Sequence, residues 1–319
     1  MRIVIDLQGA QSQGSRHRGI GRYTLALTQA IVRNRGEHDV VLALSDRFPE
    51  TIDDIRDAFE SLPVSNIRVW SCPEGVRFLN QKKDGSRICD AQIMYEGFLA
   101  SIEPDVILIS SHFEGFSDDA LTPSLRGKQR PIPTVVILYD LIPFLHPEIY
   151  LRDTQLNDWY SAKLMELKSA DLLLAISDSS RSEAITALGQ DPRRVVNISS
   201  DVDPQFRPQA LTDSEKADLA QKFHLTHPYV MYTGGIDHRK NLDRLIRAFS
   251  MLPSMIRTTY QLVIVCSASP EAIFELKSLA KSQGLSDQSV VFTGFVSDED
   301  LIKLYNLCDL FIFPSWHEG

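Results

Sequence analysis

The chain has 319 residues, 43% of them hydrophobic, and 33 Lys and Arg against 42 Asp and Glu give a formal net charge of −9. At about 100–200 residues per domain, two domains are the default. The acidic balance argues against general nucleic-acid binding, which needs a basic face, but it leaves room for local cation sites.

The N-terminus, MRIVIDLQGA, is no secretory leader, because Asp6 interrupts its short apolar run. No stretch approaches the ~18–20 uninterrupted apolar residues of a membrane span. Cys72, Cys89, Cys266 and Cys308 are scattered without a C-x-x-C spacing, which predicts free, buried, structural thiols in a reducing compartment. A cytoplasmic protein is therefore expected.

RIVIDL, DVVLAL, DVILIS, PTVVILYD, DLLLAIS and RVVNIS are short, nearly continuous apolar runs alternating with helix-like segments. Such runs suit parallel strands covered on both faces. FPETIDDIRDAFESLP reads as a surface helix. The pattern restarts after Pro208 with YVMYTGG, QLVIVCS, VVFTG and DLFIFPS. The expected fold is α/β, two doubly wound parallel sheets in domains 1–208 and 209–319. DVDPQFRPQALTDSEK joins them, and Thr212 with Glu215 three residues on has the spacing of a capping box. About four strands in the second domain predict an incomplete sheet, as in a piece of a longer chain.

Several junctions carry the residue types that bind anions or hydroxyls. In RHRGIGRYTLALTQAIV, Gly19 and Gly21 precede an amphipathic helix and are surrounded by Arg16, Arg18 and Arg22. This can cradle an anion, or it can be a surface loop. SSHFEGFSDD offers His112, Glu114, Asp118 and Asp119 after a strand. These suit a hydroxyl-rich ligand, although a solvated acidic loop is the preferred reading of the two aspartates. In YDLIPFLHPE, Asp140 lies beyond a strand's carboxyl end, where open α/β sheets place ligands. It can orient a hydroxyl or cap the following turn, and His146 reads as a loop histidine. TGGIDHRKNLDRLIRAF combines Gly234, Gly235, Arg239 and Lys240 at a strand–helix junction. Glycines permit positive φ and close approach, and a helix N-terminus adds unpaired N–H groups and partial positive charge. Together they suit a diphosphate, or they form a tight turn with a solvated basic pair. The spacing is neither a P-loop nor G-x-G-x-x-G. In FPSWHEG, Glu318 follows a strand and means little alone.

In this order, GIGRY, YDLIP…PE, ADLLLAISDSSRSE, YTGGIDHRKNLDRLIRAF and VVFTGFVSDEDLIKLYNLCDLFIFPSWHEG resemble the retaining glycosyltransferases of family four over essentially the whole chain. The resemblance implies the GT-B fold, two Rossmann-like domains facing a cleft. It also implies transfer of a sugar from a nucleotide-diphosphate donor with retention at the anomeric carbon. No metal or other cofactor is implied. Residue by residue, Lys240 matches the diphosphate lysine. Gly235 stands where an arginine often occurs, so Arg239 is expected to supply that charge. Glu318 matches the first glutamate of E-x7-E, which contacts the donor sugar. The second glutamate would fall at about position 326, beyond this chain, as would the final helices, so weak or absent activity is expected. Tyr139 stands where many relatives have a histidine, which directs the assignment near the acceptor to Asp140, and Asp140 and Glu318 are the catalytic assignments. His112, Glu114 and Tyr139 are assigned to the acceptor side. Gly19, Gly21, Gly234, Gly235, Arg239 and Lys240 are assigned to the donor diphosphate. A glycan or glycolipid acceptor is implied, with mannose from GDP-mannose as the leading donor by analogy. No nucleic acid is expected, and contact with the inner face of the cell membrane is compatible with such an acceptor. The alternatives are a nucleotide-sugar epimerase, which uses a different motif set, and a non-catalytic donor- or glycan-binding fragment.

Overall fold

A computed structural model describes residues 1–80, 86–125 and 132–319. The chain divides into two compact units, 1–201 and 202–318.

The first unit is a seven-stranded sheet of β1 (Arg2–Asp6), β2 (Asp39–Ser45), β3 (Ile67–Trp70), β4 (Val106–Ile109), β5 (Thr134–Leu138), β6 (Leu172–Ala175) and β7 (Val195–Asn197). Its order is β3-β2-β1-β4-β5-β6-β7, and neighbours run parallel. The helices are α1 (Gly19–Arg33), α2 (Ile52–Ala58), α3 (Ser86–Ser101), α4 (Ile142–Leu145), α5 (Pro147–Tyr150), α6 (Thr154–Leu167) and α7 (Asp178–Thr186). They cover both faces. Val4, Tyr95, Ile109, Leu138 and Leu167 pack on one, and Ile5, Leu42, Leu44, Phe59 and Ile137 on the other. Burial on both faces is why β2 reads as an unbroken apolar run. Strand β3 was not expected. Only four residues long, it pairs with β2 alone at the sheet edge, and exposed Arg68 interrupts its apolar signal.

The second unit has β8 (Tyr229–Thr233), β9 (Gln261–Val265), β10 (Val290–Phe292) and β11 (Leu310–Phe311), parallel in the order β10-β9-β8-β11. Its helices are α8 (Asp213–Phe223), α9 (Leu242–Ser250), α10 (Ser254–Thr259), α11 (Pro270–Ser282) and α12 (Asp298–Leu307). Helix α9 buries Leu242, Leu245, Ile246 and Phe249, one stripe at helical spacing. Both halves of the capping box are present on α8. Thr212 N donates to Glu215 Oε2 at 2.9 Å, and Glu215 N to Thr212 Oγ1 at 3.3 Å.

Each sheet has one place where the chain reverses its direction of growth, between β1 and β4 in the first unit and between β8 and β11 in the second. The loops leaving the carboxyl ends of strands at such a reversal diverge and leave room for a ligand. Among the cysteines, Cys72 and Cys266 are buried, Cys308 is half-buried and Cys89 is exposed. The exposure of Cys89 corrects the expectation of uniformly buried thiols. It lies in the first turn of α3, whose buried residues begin only at Ala91.

Candidate functional site

In the second unit the residues around the switch point converge. After β8 the chain turns through Gly234 with φ 145°, a conformation open essentially to glycine alone. A Cβ there would lie 2.7 Å from Tyr232 Oη, which itself donates to Gly235 O at 2.6 Å. Gly235 has neither a positive φ nor a crowded neighbour, so only Gly234 meets the conformational expectation. Arg239 and Lys240 occupy a 3-10 turn, His238–Lys240, and left-handed Asn241 (φ 61°) separates them from α9. They thus lie in the strand–helix junction, ahead of the long helix. The Asp237 side chain caps the short turn by accepting from Arg239 N at 3.1 Å. The Asn241 amide donates to Pro314 O at 3.0 Å and so ties the turn to the loop that follows β11.

That loop carries Glu318. Its Oε2 accepts from Arg239 Nη1, and its Oε1 lies 2.6 Å from Lys240 Nζ. Arg239 also donates to His317 O at 3.2 Å, and Trp316 N donates to Arg239 O at 3.1 Å. The Lys240 ammonium sits 5.2 Å from the centroid of the Phe313 ring. Burial raises the Glu318 carboxyl, but hydrogen bonds from Lys240, Ser315 and Arg239 outweigh it and hold the group below its ordinary value. Two half-buried basic side chains and a carboxylate therefore meet at one point. Among the described residues no cluster of three or more His, Cys, Asp or Glu is disposed to hold a metal.

The first unit assembles a different set. Helix α1 begins at Gly19, so the two glycines lie within its first turn and not ahead of it. A Cβ on Gly21 would come within 2.5 Å of Arg16 Cα and 2.6 Å of Ser15 O, and Gly21 N donates to Ser15 O at 3.1 Å. Gly21 is thus required by the loop folded beneath the helix. Gly19 has nothing within 4 Å of its Cβ position.

The acidic loop is not a solvated one, which corrects the reading of Asp118 and Asp119. Buried Asp118 accepts from Ser12 Oγ and Gln13 N, both at 2.8 Å. Asp119 accepts from Arg77 N at 2.9 Å and Gly75 N at 3.3 Å. Glu114 is also buried and binds Ser111 and Ser15 through Oε1, at 2.8 and 2.5 Å. Burial raises its carboxyl above the ordinary value despite these bonds. His112 lies in the interior with Nε2 3.1 Å from Lys163 O, and burial followed by the neighbouring Lys163 charge keeps the ring neutral. Tyr139 Oη lies 3.0 Å from Thr24 Oγ1 and donates to Ser110 O at 3.0 Å, which ties it to α1 and to the loop after β4. Asp140 accepts from Ile142 N at 3.0 Å, so it does cap the turn that follows.

Residues missed in the sequence include Ser12, Ser15, Lys163 and Asp6. Asp6 ends β1 at the switch point and its position alone could have marked it. Its buried carboxyl is pushed up to about 7, mainly by desolvation, although Gln8 N donates to Oδ1 at 3.1 Å.

Residues 17–206 match the profile of Glycosyltransferase Family 4. The chain belongs to that family. Residues 213–319 match the profile of Glycosyl transferases group 1. The serotype-specific mannosyltransferase WbdA of Escherichia coli is 38% identical over 321 residues, covering 100% of this chain. The chain spans 38% of that relative's length. Among solved structures, Anabaena HepE in complex with UDP and glucose superposes with a TM-score of 0.62 at 18% identity, over 99% of this chain and 74% of that one. WaaG, a glycosyltransferase involved in lipopolysaccharide biosynthesis, gives 0.60 at 15% identity, over 100% and 76%. These likenesses establish the GT-B fold class for the family 4 chain. Among its described residues no helix is long and apolar enough to cross a membrane.

Proposed function

We propose that the chain is a retaining glycosyltransferase that moves a sugar from a nucleotide-diphosphate donor to a polysaccharide or lipid-linked oligosaccharide. Mannose from GDP-mannose is the leading donor. The observation that carries this reading is the convergence of Arg239 and Lys240 on Glu318 at the β8/β11 switch point. It is supported by family membership, by the mannosyltransferase WbdA and by the UDP and glucose bound to HepE.

The chemistry follows from charge. When a glycosidic bond to a diphosphate breaks, negative charge accumulates on the leaving oxygens. Fixed cations in a partly desolvated site stabilise that charge without reorganising. Without a donor, Glu318 bridges the two basic groups and offsets only part of their charge. A diphosphate competes for the same cations and frees the carboxylate to accept hydrogen bonds from the donor sugar. The Gly234–Gly235 turn brings backbone close to the same place, and Gly19 and Gly21 complete the proposed donor residues. Gly21 acts there by shaping the loop of Ser15 and Arg16. Asp140 and Glu318 are the proposed catalytic carboxylates, and His112, Glu114 and Tyr139 are proposed for the acceptor side. His112, being buried, acts through its neighbours. Contact with a membrane surface is part of the proposal only as the place where a lipid-linked acceptor is met.

Calorimetric titration with GDP, UDP and ADP, followed by transfer from GDP-mannose to a mannoside acceptor, tests the proposal. Saturable binding of a nucleoside diphosphate and an α-linked product are expected. A chain that binds none of the three overturns it.

A further inference from the structure

The first unit contains a cavity of about 310 Å³ between α3, α6 and the loop after β4, near the low end of the roughly 300–1,000 Å³ typical of ligand pockets. Val76, Phe78, Leu121 and Trp159 contribute apolar and aromatic walls, while Gln92, Glu114, Lys163 and Glu166 contribute polar groups. All four polar side chains belong to buried residues. Burying so much charge is costly unless it is paired and hydrogen-bonded.

Lys163, Glu114 and Gln92 keep hydrogen-bonding capacity beyond their bonds within the protein. An ammonium has three donors. Lys163 uses one on Thr122 Oγ1 at 2.5 Å, and its ion-pair distance to Glu166 Oε2 is 3.7 Å, beyond a good hydrogen bond. Glu114 accepts from Ser15 and Ser111 on Oε1, and Ser12 also hydrogen-bonds this carboxylate, which with about four lone-pair sites keeps capacity for a further donor. The Gln92 amide donates to Thr122 O at 3.1 Å, and its carbonyl oxygen is similarly available. A donor, two acceptors and an aromatic wall therefore meet in one concave space. Burial holds the Lys163 ammonium below its ordinary value, and Glu166 and then Glu114 offset only part of that.

We infer that this pocket binds a neutral, hydroxyl-rich ring, the terminal sugar of a glycan acceptor. The inference rests on the transferase reading and assigns its acceptor to Gln92, Glu114, Trp159, Lys163 and Glu166. Sugar hydroxyls both donate and accept, so one ring can satisfy the carboxylates and the ammonium together. Its C–H face suits the Trp159 ring. Two carboxylates against one ammonium disfavour a phosphorylated ligand, which would add charge of the majority sign.

The test titrates the protein with methyl α-mannoside and with an α-linked mannobiose, followed by tryptophan fluorescence and calorimetry, with GDP titrated into the same samples. Saturable binding of at least one mannoside is expected. Ala162, half-buried in the pocket lining, provides a variant that fills the cavity without deleting a polar group. Ala162→Trp should abolish mannoside binding and leave GDP affinity within about twofold. Lys163→Met should weaken mannoside binding about tenfold or more, the loss of a charge-assisted hydrogen bond. A thermal melt would identify a folding defect in that variant, in which case Ala162→Trp decides. Absence of mannoside binding, unchanged binding by Ala162→Trp, or tighter binding of mannose 6-phosphate overturns the inference. Loss of GDP binding by the parent protein instead overturns the transferase reading.

Discussion

Lys240 Nζ lies 2.6 Å from Glu318 Oε1 although 78 residues separate them. The parallel pairing of β11 with β8, Leu310 against Val230 and Phe311 against Met231, brings the two following loops side by side. The ion pair is a product of strand order, and it fixes where an anion would have to compete.

Lys240→Ala should weaken nucleoside-diphosphate affinity about ten- to hundredfold, the worth of one charge-assisted hydrogen bond. Arg239 remains to hold Glu318, so the melting temperature should fall only modestly. Calorimetry with GDP checks the first point and a thermal melt the second. Unchanged affinity would remove Lys240 from the donor site.

Gly21→Val should destabilise the first unit before it affects any ligand. Its Cβ would overlap Arg16 Cα and Ser15 O, which are backbone atoms and cannot swing aside. Overpacking of this kind costs about 1–3 kcal/mol. Denaturant unfolding measures the loss, and a variant as stable as the parent would show that the loop beneath α1 relaxes freely.

Gly234→Ala combines two penalties, strain at φ 145° and overlap with Tyr232 Oη. Positions of this kind store about 1–3 kcal/mol. Adding Tyr232→Phe removes the overlap with Oη but leaves the ring carbon Cζ at 3.2 Å and the dihedral strain, so it should rescue only part of the lost stability. Full rescue in a double-mutant melt would mean that the backbone there is unstrained.

Asp6 predicts a pH dependence. Its folded value is raised to about 7, so between the unfolded value near 3.8 and 7 the folded state holds a proton that the unfolded state has released. Stability from this group therefore declines as pH rises through that window, by up to about 1.4 kcal/mol per pH unit. Asp6→Asn keeps the acceptor for Gln8 N and has no proton to lose. Comparing denaturant midpoints at pH 5 and pH 7 should show a smaller fall for the variant than for the parent. Equal falls would show that Asp6 is already ionised throughout that range.

The sequence by itself determined the alternation of strands and helices, because residues buried on both faces of a parallel sheet must be apolar without interruption. It also determined the capping of α8, because Thr212 and Glu215 interact over three residues and need no distant partner. Strand β3 escaped it, since a four-residue edge strand with an exposed arginine has too little periodicity to register. Gly21 and Gly234 were legible as special positions, and Gly234 for its positive φ, but not the neighbours that crowd them. One faces its own loop and the other a tyrosine hydroxyl, and both are steric facts of a folded backbone. Only tertiary structure decided that Glu318, an unremarkable carboxylate in FPSWHEG, meets Arg239 and Lys240, and that Asp118, Glu114 and Lys163 are interior groups. Hydrophobic patterning acts locally and can be read along the chain. Charge pairing and burial depend on which strands become neighbours, and that is settled only when the sheets assemble.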